Sequence, residues 1–166
     1  MTAHAARLSI LFASLFFAAG CGDDESGSGS ESSTTGDAPK NPADAAELCV
    51  KLINDHRATE GLPPYERWTD QEECSAAEAK SDSESGEAHG AFGQCGEMAQ
   101  NECPGWMGEP KAMIGGCLDL MWAEGPGADF STHGHYINMS SKDYKQASCG
   151  FYVTPTGATW SVQNFK

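Results

Sequence analysis

Basic side chains are scarce in this sequence. Only 10 residues are Lys or Arg, against 24 that are Asp or Glu, and the formal net charge is -14. Nucleic-acid binding depends on neutralising phosphates with Lys and Arg, so the charge argues against nucleic acid as a partner. Direct adhesion to anionic lipid headgroups is disfavoured for the same reason.

Long apolar runs are also missing. The longest run, residues 8–19, has about twelve residues, whereas a membrane-spanning helix needs about twenty. Arg7 precedes this run, and small residues lead from it into Cys21. This arrangement is typical of a secretory signal peptide, which predicts that residues 1–20 are removed on export.

The residues that end at Cys21 resemble a bacterial lipobox. They read Phe17-Ala18-Ala19-Gly20-Cys21, and in that pattern the cysteine is lipidated and becomes the first mature residue. The resemblance predicts a lipoprotein anchored through Cys21 in a membrane, at the cell envelope or cell surface. The alternative is ordinary cleavage near Ala19, which would leave Cys21 as an odd thiol in a chain with seven cysteines.

Apolar side chains are absent from residues 22–37, which consist only of Gly, Asp, Glu, Ser and Thr. Such a segment has nothing to offset the entropy of ordering it. We therefore predict that residues 21–38 are the lipidated cysteine and a disordered acidic tether. Residues 39–166 have the size of one ordinary domain, which we expect to be a monomer.

No Cys-x-x-Cys occurs, so a thiolate zinc knuckle or a thioredoxin-like redox centre fits poorly. An even number of cysteines in an exported domain predicts structural disulfides, and the sequence leaves their pairing open. The six that follow Cys21 are Cys49, Cys74, Cys95, Cys103, Cys117 and Cys149.

Three stretches have helical signals. The first runs from a predicted cap at Asn41 to Gly61 and has an amphipathic apolar stripe. The second begins at Thr69, which forms a capping-box pattern with Glu72, but its apolar face is thin. The third, residues 110–124, has the strongest apolar stripe before a Gly-Pro-Gly stop.

The end of the chain has the pattern of a β-hairpin. Residues 148–153 and 159–165 are rich in aromatic and β-branched side chains, and residues 154–157 supply a turn. Residues 86–105 are Gly-rich and predict an ordered loop held by disulfides. The fold class predicted from these elements is α+β, as an α/β/α sandwich with a central antiparallel sheet.

Five short motifs, in order, resemble the superfamily of cysteine-rich secretory proteins, antigen five and pathogenesis-related proteins, the CAP or SCP domain. The resemblance covers nearly all of residues 45–166, and it is the order and spacing of the pieces that make it specific. The motifs are residues 52–57 with 61–64, His89 eight residues before Glu97, Trp122-Ala123-Glu124, Gly134-His135-Tyr136, and residues 149–151 with 160–165.

The resemblance implies a central cleft lined by His89, Glu97, Glu124 and His135. Two neutral imidazoles, His89 and His135, would ligate a divalent metal ion while carboxylates orient the rings or bound water. Zn²⁺ suits imidazole, and Mg²⁺ is the other candidate. Outside this context both histidines would be read as structural, and His133 with His135 is a weak metal signal by itself.

Two functions follow from this cleft. The first is a lipid-anchored extracytoplasmic binding module that takes a metal and, as the family implies, a small apolar ligand or an envelope protein. The alternative is a metal-dependent hydrolase or protease with Glu97 or Glu124 as general base. The binding function is favoured because no nucleophile or oxyanion hole is recognisable. A purely structural disulfide domain is the third hypothesis.

Overall fold

The computed structural model describes residues 41–166, so the predicted signal peptide, Cys21 and the tether lie outside the described residues. No helix within residues 41–166 combines the length and the apolar character needed to cross a membrane. The elements are α1 (Ala43–Thr59), β1 (Glu66–Arg67), α2 (Glu72–Ser85), β2 (Ala99–Met107), α3 (Pro110–Ala123), α4 (Phe130–Ser140), β3 (Gln146–Val153) and β4 (Ala158–Phe165).

The four strands form one sheet in the order β1-β3-β4-β2. β3 and β4 pair antiparallel from Ala147 opposite Phe165 to Val153 opposite Thr159, which confirms the predicted hairpin. β2 pairs antiparallel with β4, and the short β1 pairs parallel with β3. The sheet is thus antiparallel except at β1, and β2 is an edge strand.

Alternation along β3 places helices on both faces of the sheet. Ser148 faces α2, since its Oγ lies 2.8 Å from Ser75 Oγ. Gly150 faces the same way, and a Cβ added there would lie 2.0 Å from the Ser75 carbonyl carbon, so α2 lies directly on the strand. Cys149 faces the opposite layer, where it is bonded to Cys49 of α1. This arrangement confirms the predicted α/β/α sandwich.

The main apolar core lies between the sheet and α1 and α3. Its fully buried side chains include Ile53, Ile114, Leu118 and Phe165. Three disulfides cross-link the domain, which reduces the entropy of the unfolded chain. They join Cys49 to Cys149, Cys74 to Cys95, and Cys103 to Cys117.

Asn41 does not cap α1 as predicted. The residue before the helix is Pro42, and no side chain caps this end. The Asn41 amide instead donates to the carbonyl of Cys149 (3.0 Å) and accepts from the backbone N–H of Phe151 (3.1 Å). Asn41 therefore fastens the start of the domain to β3.

The predicted capping box at Thr69 is also absent. Thr69 starts a short 3₁₀ turn, Thr69–Gln71, and α2 begins only at Glu72. The Glu72 carboxylate accepts from the guanidinium of Arg67 at 2.6 Å and 3.0 Å. A bidentate ion pair to the neighbouring strand therefore takes the place of the predicted cap.

Besides the two-residue β1, two longer elements were not predicted. β2 occupies part of the stretch predicted as a loop, residues 86–105, and its buried side chains are mostly polar, so they lack the apolar alternation of a typical strand. α4 contains Gly134 and little apolar periodicity. Its start is set by Asp129, whose side chain accepts from the backbone N–H of Ser131.

Candidate functional site

Edge strand β2 separates the two layers that supply the candidate histidines. Gln100 faces the α2 layer, since its amide donates to Glu78 Oε2 (3.2 Å). The next residue, Asn101, faces α4, since its amide donates to the carbonyl of His135 (3.1 Å). His89 lies on the loop that follows α2, so the two imidazoles reach the edge of the sheet from different layers.

Gln100 orients the His89 ring. Its Oε1 lies 2.8 Å from His89 Nδ1, while its amide nitrogen is directed at acceptors on Glu78 and Asn164. Because the Gln100 oxygen can only accept, His89 Nδ1 carries the hydrogen. His89 Nε2 is then left with its lone pair. The ring is partly exposed, and the backbone N–H of His89 donates to the buried carboxylate of Glu102 (2.6 Å).

Glu124 orients the His135 ring in the same way. It follows the last residue of α3, and its Oε1 lies 2.5 Å from His135 Nδ1. Its Oε2 accepts from the backbone N–H groups of His135 (3.0 Å) and Tyr136 (3.3 Å). The carboxylate therefore fixes the ring of His135 and the backbone of α4 at His135 and Tyr136. Within residues 41–166, the ring nitrogen without a hydrogen-bond partner is again Nε2.

His133 has a structural role. Its Nδ1 lies 2.8 Å from the carbonyl of Glu124 and 3.0 Å from that of Gly125, so it joins the start of α4 to the end of α3. Gly127 lies against the ring, where a Cβ would be 2.1 Å from an imidazole carbon. His133 is absent from the lining of both cavities at the site.

Three of the four predicted cleft residues, His89, Glu124 and His135, line one cavity of about 250 Å³. We call this cavity the polar lobe; its other lining residues are Gln100, Asn101, Phe130, Ser131, Gly134 and Asn138. A second cavity of about 320 Å³, the apolar lobe, shares four of these residues. Its lining is His89, Phe92, Met98, Ala99, Gln100, Phe130, Asn138 and Tyr144.

Glu97 does not join the other three, which corrects the predicted cleft. It lines neither lobe. Its carboxylate is buried and accepts the backbone N–H groups of Gly93 and Cys95, the latter at 3.0 Å. The physical reason is local. The turn that precedes Glu97 directs its backbone N–H groups toward the Glu97 carboxylate, so this side chain stabilises the turn.

Buried carboxylates hold the whole loop between α2 and β2, residues 86–98, through its backbone amides. Asp82 and Glu102 are buried, as Glu97 is, and each accepts a hydrogen bond from this loop. The bonds run from Ala91 N to Asp82 (2.7 Å), from His89 N to Glu102 (2.6 Å), and from Gly93 N and Cys95 N to Glu97. The position of His89 therefore depends on acidic residues outside the cleft.

The environment of Glu78, Glu102 and Asp82 favours their neutral forms. Burial raises the pKa of Glu78 to about 7, and the neighbouring carboxylate of Glu97 raises it as well. Burial likewise raises the pKa of Glu102 to about 7 and raises that of Asp82. One signal of this network is present in the sequence, the thin apolar face of the second helix. That helix buries polar residues in place of apolar ones.

A preassembled metal cage is not visible in residues 41–166. The only group of three or more candidate ligands there with donor atoms within 4.8 Å of one another is Glu78, Cys95 and Glu97. Cys95 is in a disulfide, so that group provides no thiolate. The polar lobe does fit a metal in its donor chemistry, since it offers two imidazoles with fixed Nδ1 hydrogens, and water would complete the coordination.

Sequence reasoning missed the polar residues that organise the lobe. Gln100 and Asn138 line both lobes, and Asn101 lines the polar one. Asn138 lies three residues after His135, one helix turn along the same face, so helical periodicity would have suggested it had α4 been predicted. Gln100 and Asn101 carry no comparable signal.

Comparisons with known proteins agree with the described fold. The family model of the cysteine-rich secretory protein family, CAP, matches residues 50–165. The solved structure of Na-ASP-1 is similar with a TM-score of 0.53 and 13% sequence identity, over 73% of this chain and 38% of that one. This likeness concerns the fold alone. No curated protein matches the chain. The family match spans most of the domain, and the chain belongs to the cysteine-rich secretory protein (CAP) family.

Proposed function

We propose that this CAP-domain protein is an exported binding module whose polar lobe takes a divalent cation through Nε2 of His89 and His135. One observation carries the proposal. Each ring has its Nδ1 hydrogen bonded to an oxygen acceptor, Gln100 for one and Glu124 for the other, which leaves Nε2 as the ligand atom of each ring, and both histidines line the same cavity.

Zn²⁺ is the ion that this donor set favours. Imidazole nitrogen binds zinc well, whereas Mg²⁺ prefers oxygen ligands and retains most of its water. A carboxylate that accepts from the far nitrogen of a metal-bound imidazole is a recurrent feature of zinc sites, and Glu124 stands in that relation to His135. The metal would supply positive charge and open coordination positions for a ligand.

Replacing Glu124 with glutamine is expected to weaken zinc binding by about 10- to 100-fold. The neutral amide orients His135 less firmly and makes its ring a poorer ligand. Isothermal titration calorimetry with zinc chloride measures the change. Glu109→Gln, an exposed position at the other end of α3, is the matched control and should bind zinc as the unaltered protein does. Equal affinities in all three proteins would contradict the role given to Glu124.

The hydrolase hypothesis receives less support from the geometry. A general base needs a carboxylate oxygen free to accept a proton from water. Both oxygens of Glu97 are engaged by the loop, and both oxygens of Glu124 accept from α4. Neither of the carboxylates predicted as a base is therefore free, and cation binding is the function that these contacts favour.

We also propose that the domain is held at the cell envelope by lipid on Cys21. Three disulfides in one small domain are typical of exported proteins. Cys21→Ser is expected to move the protein from the membrane fraction to the soluble fraction after cell lysis and ultracentrifugation. Firm membrane association of the Cys21→Ser protein would refute the anchor. Ser26→Ala, in the predicted tether, serves as the control and should leave fractionation unchanged.

A further inference from the structure

The apolar lobe is lined by side chains that remain exposed. Phe92, Met98 and Phe130 are 51%, 65% and 62% exposed, although each is large and apolar. They meet at a cavity of about 320 Å³, which is near the lower limit of typical small-molecule pockets, about 300 Å³. Clustered exposed apolar side chains beside a cavity indicate a surface that a ligand covers.

In the adjoining polar lobe, the side-chain hydrogen-bond donors already have partners. Amides and hydroxyl groups at its wall donate to protein acceptors and none of them is left for a ligand. The bonds run from Gln100 Nε2 to Glu78 and Asn164, from Asn101 Nδ2 to the carbonyl of His135 and the sulfur of Met121, from Asn138 Nδ2 to Asn101 Oδ1 and the carbonyl of Gln100, and from Ser131 Oγ to Asp129.

What the polar lobe retains is a set of acceptors. Nε2 of His89 and of His135 each keep a lone pair, because the Nδ1 atoms hold the ring hydrogens. Asn138 Oδ1 is buried and has no hydrogen-bond partner among residues 41–166. No Lys or Arg lines either lobe. A ligand that donates hydrogen bonds and carries positive charge therefore complements this lobe.

We infer that the complete cleft binds an amphiphilic primary amine. Its ammonium group occupies the polar lobe and its hydrocarbon body covers Phe92, Met98 and Phe130 in the apolar lobe. A primary ammonium has three N–H donors and no acceptor, so it can donate to such a wall without leaving an acceptor of its own unpaired. This inference deepens the proposed function, since it rests on the same pair of histidines and names an organic cation that uses them.

The positive charge and the N–H donors of the head group together determine which ligand fits. A carboxylate would bring acceptors to a wall of acceptors and would lie beside the carboxylate of Glu124. A quaternary ammonium has the charge but no N–H to donate, so the unpaired oxygen of Asn138 would stay unsatisfied. Three ligands that share one hydrocarbon chain and differ in the head group therefore separate the contributions of hydrogen bonding, charge and apolar contact to the affinity.

The test uses octylammonium, octyltrimethylammonium and octanoate, titrated into the metal-free protein in EDTA at about pH 8, where an ordinary imidazole is neutral. Octylammonium is expected to bind at least about tenfold more tightly than either of the other two, because only it satisfies the free acceptors. Octanoate or octyltrimethylammonium binding as tightly as octylammonium, or no saturable octylammonium binding at all, would overturn the inference.

Variants distinguish this inference from zinc binding. Met98→Ser is expected to weaken octylammonium at least about fivefold and to leave zinc affinity unchanged, because Met98 lines the apolar lobe alone and provides only apolar contact. Leu120→Ser, at an equally exposed position of α3 that lines neither lobe, is the control and should change neither. Octylammonium binding without zinc binding would refute the proposed metal site alone, and zinc binding without octylammonium binding would refute this inference alone.

Discussion

Replacing Arg57 with methionine is expected to lower the free energy of unfolding by about 3 kcal/mol or more. Arg57 is 1% exposed and has no carboxylate partner among the described residues. Its guanidinium donates to the carbonyl oxygens of Pro63 (2.9 Å), Met139 (2.6 Å) and Ser141 (2.8 Å) and lies 3.6 Å from the ring centre of Tyr65. Burial lowers the pKa of Arg57.

The cost of Arg57→Met comes from the carbonyl groups that lose the guanidinium as a donor. The carbonyl of Ser141 also accepts from the hydroxyl of Tyr65 (2.9 Å), so the loss falls mainly on those of Pro63 and Met139. Each buried acceptor left without a donor costs about 1–3 kcal/mol, and the loss of the stacked cation adds to this. Two of the three acceptors lie at the end of α4, the helix that carries His135, so the substitution also loosens one wall of the cleft.

Urea denaturation followed by tryptophan fluorescence and circular dichroism measures the effect of Arg57→Met. Lys51→Met on the same helix is the matched control, because that side chain is exposed and forms only an i,i+4 ion pair with Asp55. Its cost should stay below about 1 kcal/mol. Similar losses for the two variants would show that the buried guanidinium does not carry the stability assigned to it.

Replacing Glu78 with glutamine is expected to stabilise the domain at pH 8 by about 1–3 kcal/mol. Glu78 is 2% exposed, and its Oε2 accepts from Asn164 (2.6 Å) and Gln100 (3.2 Å). Its Oε1 has no partner in residues 41–166, and the carboxylates of Glu78 and Glu97 approach within 4.8 Å of each other. A glutamine amide at this position can donate to Glu97 at every pH.

The sign of the pH dependence follows from the raised pKa. Burial first, and then the Glu97 carboxylate, raises the pKa of Glu78 from 4.5 to about 7. The folded protein therefore holds a proton that the unfolded chain releases between these values. The stability from this proton is fully present below about pH 4.5 and is lost as the pH rises through about 7.

Denaturation curves at several pH values between 4 and 8 test this account of Glu78. The unaltered protein should lose stability across the interval, and Glu78→Gln should lose less. The remaining slope comes from Glu102, whose pKa burial also raises to about 7, and from Asp82, whose pKa burial raises as well. Glu84→Gln, exposed on the same helix, should follow the unaltered protein. Parallel curves for all three proteins would show that Glu78 is ionised in the folded state.

Local sequence signals predicted the elements with strong patterns and missed the others. The apolar stripe of α3 and the alternating aromatic residues of β3 and β4 identify these elements because burial there is apolar. β2 is buried through Gln100, Asn101 and Glu102, so tertiary hydrogen bonding, and not hydrophobic periodicity, determines its structure. The pairing of the cysteines likewise required the positions of the layers.

The sequence motifs predicted the candidate site correctly where they determine the position of the backbone. His135 and Glu124 come together because a short connection joins α3 to α4 and the carboxylate caps the turn that holds the ring. The direction of the Glu97 side chain depends on a loop with positive φ at Gly93 and Gly96. A one-dimensional motif contains no information about such a turn, so Glu97 was placed in the wrong surroundings.

Zinc titration of the purified protein and of a His89→Ala, His135→Ala double variant, by calorimetry at neutral pH, tests the central claim most directly. Both side chains are partly exposed, so the double variant should fold, and circular dichroism checks this. We expect saturable zinc binding in the unaltered protein and its loss in the double variant. Identical titrations for the two proteins would show that the histidine pair is not a metal site.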